Sequence, residues 1–138
     1  MKTHDFKNVP LSSSVPDKFF EAYVEAALWS STYGENGENN LDDGEHDLSR
    51  DCRNQMLRDC ADFFAYCEAE GIDPLPEYGC PEYGNAEKSG HDFWLTRNGH
   101  GAGYWDRGLG EIGERLSKAS KTFGECNLYV DDDGNINL

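Results

Sequence analysis

The stretch "GHDFWLTRNGHGAGYWDRG", residues 90–108, decides how the fold is read. It holds two of the three tryptophans and two of the four histidines, set around alternating glycines. Residues 91–97 and 102–107 read as two strands flanking a glycine-rich turn. With Asn98-Gly99 at the turn centre, Phe93 faces Tyr104 and Leu95 faces Ala102; with Gly99-His100 there, the pairs are Trp94–Trp105, Asp92–Arg107 and Leu95–Tyr104. The second register matches aromatic with aromatic and acid with base, each pair contributing about 0.2–1 kcal/mol. A hairpin is therefore expected on structural grounds alone.

The same block also reads as a binding site. Asp92 and Asp106 balance Arg97 and Arg107, so it forms a neutral island in an acidic chain. Trp94 and Trp105 on one hairpin face, beside Arg97, Arg107, His91 and His100, are the residue types of a protein-binding hot spot. They equally suit a small nucleotide, with the tryptophans stacking a base and Arg97 or Arg107 meeting phosphate. A third reading makes His91, His100 and Asp106 the acid–base groups of a small enzyme. The glycines at 99, 101 and 103 match neither the dinucleotide-binding spacing nor a P-loop, and no Ser or Cys stands in a nucleophile motif. A non-enzymatic role is the leading expectation.

Charge is the strongest global property. Twelve Lys and Arg against 27 Asp and Glu leave a formal net charge of −15 in 138 residues. Such a field repels nucleic acid and anionic lipid and attracts basic surfaces, so direct nucleic-acid binding is not expected. The acids concentrate in "GENGENNLDDGEHD", residues 34–47, where Glu35, Glu38, Asp42, Asp43, Glu45 and Asp47 form a solvated acidic loop. As an EF-hand this segment fails, because Asn39, Leu41 and Arg50 occupy the first, third and twelfth positions. The five cysteines include no C-x-x-C pair, so neither a disulfide framework nor a metal centre is expected, and no cofactor is implied. Neither a membrane-spanning run nor a signal-peptide core is visible in the sequence, which leads to the expectation of a cytoplasmic protein.

The remaining segments give a single domain of the α+β class, with about three helices on a small antiparallel sheet of two hairpins. Residues 1–12 read as loose. A first helix follows, with Ser14 and Asp17 at capping-box spacing, Pro16 in its first turn, and Phe20, Val24, Ala27 and Leu28 as its apolar stripe. The second presents Cys52, Met56, Cys60, Phe63 and Cys67 on one face and stops at Gly71. Residues 71–90, with "PEYG" at 76–79 and again at 81–84, read as a long irregular loop. The third helix carries Leu109, Ile112, Leu116, Ala119 and Phe123. The chain then forms a hairpin turning at Asp133-Gly134.

Four segments together carry a resemblance: "ALWSST" (27–32), "DCADFF" (59–64), the block at 90–108 and "FGECNLYVDDDGNI" (123–136). From about residue 22 onward the chain resembles a family of small acidic proteins of tailed bacteriophages. In that family a similar helix end leads through an acidic loop to a D-C-x-x-F helix and then to an H-D-F-W-L-T-R-N-x-H-G-A-G-[FY]-W-D-R block. The "PEYGCPEYG" insertion departs from the pattern. The resemblance implies action in the host cytoplasm, by binding a host protein or defence complex or by sequestering a nucleotide. It assigns no site residue.

Overall fold

The computed structural model describes residues 15–79 and 84–138. The expectations for residues 1–12, the Ser14 cap, Cys80 and most of the second "PEYG" lie outside the described residues. The class is α+β: the described residues form four α-helices and two small antiparallel two-stranded sheets.

Helix α1 spans Asp17–Trp29 and opens on the Pro16 carbonyl, which accepts from the Phe19 and Phe20 amides. Its buried face is Phe19, Tyr23, Ala26 and Ala27, rotated from the expected stripe, so that Phe20, Val24 and Leu28 are only partly buried. Strands β1 (Thr32–Tyr33) and β2 (Asn39–Asn40) then pair, β1 at the end of the stretch expected to be the first helix and β2 within the acidic segment expected to be loop, followed by a 3-10 turn at Leu41–Asp43. Leu41 is buried there and anchors the turn to the core, while the acids around it stay exposed.

Helix α2, Arg50–Glu70, follows its sequence signals closely. The Ser49 hydroxyl accepts from the Cys52 amide at 3.0 Å, satisfying one free donor of the first turn. Cys52, Met56, Cys60, Phe63 and Cys67 are all buried. At the other end Gly71 takes a left-handed conformation (φ 70°), letting Ile72 N–H return to the Cys67 carbonyl.

The central correction concerns residues 90–108. Asn85–Arg97 is an α-helix, α3, and not the tail of a loop followed by a strand. Residues 98–103 turn, and Tyr104–Asp106 form a short 3-10 helix instead of a second strand. Burial explains the helix: Ser89, Gly90 and residues 92–97 are all buried, so the C-terminal half of α3 runs through the middle of the protein. A helix enclosed on all sides loses the apolar–polar period that would announce it. Gly90 permits this position, because a Cβ there would collide with the Phe19 carbonyl of α1.

Helix α4, Glu111–Lys121, also packs differently from the expected stripe. Leu116 and Ala119 are buried with Gly113, Ser117 and Ser120, whereas Ile112 is 43% exposed. Small residues face inward because α4 approaches the Tyr104 turn closely: a Cβ on Gly113 would stand 2.8 Å from the Tyr104 carbonyl oxygen. The C-terminal hairpin is as expected, with β3 (Tyr129–Val130) paired to β4 (Ile136–Asn137) around a left-handed Gly134. Aromatics join α1, α2 and α3 in the core. Phe63 and Phe93 stack at 4.1 Å between centroids, and Tyr23 meets Phe93 at 5.1 Å and Trp94 edge-on at 5.4 Å.

Candidate functional site

The conspicuous residues of 90–108 come from the buried helix α3 and from the turn that follows, and most are engaged inside the protein. Arg97 is the clearest case. Its Nη1 donates to Tyr23 Oη and Asp59 Oδ2, both at 2.9 Å, its Nε to the Gly124 carbonyl at 2.8 Å, and its Nη2 to the Phe123 carbonyl at 2.9 Å. The guanidinium lies 5.8 Å from the centroids of both Phe93 and Phe123. Arg97 thus ties α3 to α1, α2 and the end of α4. The carbonyls of Phe123 and Gly124 lie just past the end of α4 at Lys121, so the guanidinium fixes the chain where it leaves that helix.

Asp92 and Arg107 form the ion pair expected from the sequence, but between a helix and a turn. Arg107 donates from Nη2 to Asp92 Oδ1 at 2.8 Å and from Nε to Oδ2 at 3.1 Å. Tyr78 Oη adds a bond to the same carboxylate at 2.9 Å. Burial and the Asp92 charge push the Tyr78 phenol well above its usual range, so it remains a donor. Trp94 is buried and donates to Ser30 Oγ at 2.9 Å. Trp94 and Trp105 do not share a face: Trp105 is 52% exposed on the 3-10 turn.

The proposed acid–base residues are engaged separately. The half-buried His91 accepts at Nε2 from Trp29 Nε1 at 3.2 Å, and its burial lowers its affinity for a proton. Asp106 accepts from the Gly103 amide and closes its own turn, while His100 lies exposed beyond the end of α3. No group of three or more His, Cys, Asp or Glu is placed to hold a metal ion among the described residues.

The other candidate surface is acidic and composite. Glu35, Glu38, Asp42, Asp43, Glu45 and Asp47 are all exposed. No Lys or Arg occurs between residues 19 and 49, nor after Lys121. The fold stitches these cation-free segments together: Ile136 N donates to the Asp47 carbonyl and Ser49 N to the Ile136 carbonyl, each at 2.8 Å. His46 Nδ1 also meets the Gly134 carbonyl at 2.8 Å. Acids 42–47 therefore adjoin Asp131, Asp132 and Asp133, which sequence reasoning left apart.

Local bonds fix the backbone of this edge. Asp43 Oδ2 accepts from Tyr33 Oη at 2.6 Å and Oδ1 from Glu45 N at 3.0 Å, which lowers the Asp43 pKa and pushes the Tyr33 phenol up to about 12. Asp131 Oδ1 accepts the amides of Asp133 and Asn135, and these bonds hold its carboxyl below the usual range. The edge is ordered by its own carboxylates, and most of its acids still face outward.

Residues missed from sequence are the partners: Ser30, Asp59 and Tyr78 complete the polar clusters, and Trp29 presents an exposed indole. Only the "ALWSS" helix end gave a signal for the last. Among the described residues no helix is long and apolar enough to cross a membrane. No protein-family model, curated protein or solved structure matches the chain.

Proposed function

We propose that this is a non-enzymatic bacteriophage accessory protein that acts in the host cytoplasm by binding and inhibiting a basic host protein or defence complex. Its acidic edge takes the place of the DNA phosphates that such a partner binds. The observation that carries this reading is the joining of two cation-free segments, 19–49 and 122–138, through the Asp47–Ser49 and Ile136 backbone pairing. Arg97 and Arg107 are paired one-to-one with Asp59 and Asp92, so the excess of fifteen acids remains outside these pairs. Such a surface steers basic partners by long-range attraction and excludes competing anionic ones. The exposed Trp105 supplies an aromatic anchor beside this field-driven attraction.

A nucleotide-sequestering role is the weaker reading, because Trp94 and Arg97, which would hold base and phosphate, have partners within the core. The test is affinity capture from bacterial lysate with the wild-type chain and with a variant neutralised at Asp42, Asp43, Glu45, Asp47, Asp132 and Asp133 (Asp→Asn, Glu→Gln). A defined basic protein should be retained by the wild type, be released by duplex DNA, and escape the variant. Identical retention by both proteins would refute the reading.

A further inference from the structure

A groove of about 390 Å³ runs between α1 and α3. Helix α1 lines it with Lys18, Glu21, Ala22 and Glu25, one face of the helix at intervals of three and four residues. Helix α3 contributes Glu87 and His91, with Lys88 between them. Trp29, one turn beyond Glu25, stands at the His91 end. Its indole N–H is bonded to His91 Nε2, and its ring leans on the imidazole at 5.5 Å between centroids with a 31° tilt. The indole is therefore held in one orientation yet remains 42% exposed. A rigid exposed aromatic loses little conformational freedom on binding, which is what an interface anchor requires.

Charge selects the occupant. Three carboxylates line the groove against two lysines, and from Phe19 through Trp29 helix α1 carries no cation. Lys18 lies three turns from Trp29, so on α1 the charge next to the indole is Glu25; from α3, Lys88 also acts on His91. An open indole face beside a carboxylate is the arrangement that takes an ammonium or guanidinium group. We propose that the α1–α3 groove is a docking site for a lysine- or arginine-bearing segment of a partner protein, with one cationic side chain lying over Trp29 and paired with Glu25. This rests on the proposed function only in taking the partner to be basic, and it adds a second contact surface.

The test is a titration of the isotopically labelled full chain with a capped tetra-arginine peptide, and with its uncharged citrulline counterpart, followed by NMR. The Trp29 indole and the amides of Glu21, Glu25 and His91 should shift with the arginine peptide and not with citrulline. Trp29→Ala should weaken this binding about five- to tenfold, and Tyr66→Ala, which removes an exposed aromatic on α2, should leave it unchanged. Glu25→Gln, which keeps the helix and the indole, should weaken it about two- to threefold, covering the case in which Trp29→Ala disturbs the fold. Shifts confined to residues 42–47 and 131–133 would overturn the groove and leave the acidic-edge reading standing. Absence of any shift, or a response at Lys18 and Lys88 to inorganic phosphate instead, would also overturn it.

Discussion

Replacing Arg97 with methionine separates a structural block from a binding block. The guanidinium makes four hydrogen bonds, to Tyr23, Asp59 and the Phe123 and Gly124 carbonyls, and it is itself buried. Methionine preserves much of the aliphatic volume between Phe93 and Phe123 but supplies no donor. Removing one member of a buried pair typically costs about 3–5 kcal/mol, because the partner charge is left behind. Asp59 is 14% exposed, and water can reach part of its carboxylate, which lowers the expected loss to about 3 kcal/mol. The two orphaned carbonyls and the Tyr23 hydroxyl return it towards about 4 kcal/mol. Domains of this size have a total stability of about 5–15 kcal/mol, so the variant should remain foldable but marginal. Urea denaturation followed by far-UV circular dichroism measures this as a lower midpoint at unchanged slope. Arg97→Lys should fall between the two proteins, because it keeps the charge and loses the planar fork. A methionine variant within 1 kcal/mol of wild type would refute the buried-clamp argument and return Arg97 to the surface as a candidate ligand contact.

Three further outcomes follow from the packing. Gly90→Ala should destabilise by about 2–3 kcal/mol, since its new methyl must push α1 and α3 apart at the Phe19 carbonyl; thermal unfolding measures it. Leu116→Ala should cost about 2–5 kcal/mol and Ile112→Lys less than about 0.5, which calorimetry distinguishes and which would confirm the inward face of α4. Burial depresses the His91 pKa, so around pH 6.5 the unfolded chain binds more protons than the folded one. The His91 contribution to stability is therefore full above that pH and is lost as pH falls towards the folded value. Protonation also removes the Nε2 acceptor used by Trp29, so the Trp29 indole resonance should move over the same interval. His91→Gln should abolish that movement and flatten this part of the stability curve.

Helix α2 was legible because its face and its stop are local: the repeat from Cys52 to Cys67 and Gly71 act within the segment itself. The C-terminal hairpin was legible for the same reason, its turn being encoded at Asp133-Gly134. Helix α3 was not. Phe93, Trp94 and Leu95 in succession look like a strand, and their helix is recognisable only once α1, α2 and α4 enclose it. Gly90, Gly103 and Gly113 each mark a close approach to a remote atom that no local pattern encodes: the Phe19 carbonyl, the Thr96 hydroxyl and the Tyr104 carbonyl. The Asp92–Arg107 pair was found from an incorrect local geometry, because opposite charges fifteen residues apart meet equally well across a helix–turn unit. The acids of 34–47 were visible as a solvated segment, whereas their junction with Asp131–Asp133 depends on backbone bonds to Ile136 that no local pattern encodes.

The central claim, that the acidic edge captures a basic host protein, is tested most directly by the salt dependence of binding to the captured partner. Wild-type affinity should fall steeply as ionic strength rises through the range in which the screening length shrinks from about 10 Å to 3 Å. The variant neutralised at 42–47 and 132–133 should bind weakly and show a much shallower slope. Binding that is insensitive to salt, survives neutralisation and disappears with Trp105→Ala would contradict the account and place the interface at the 3-10 turn.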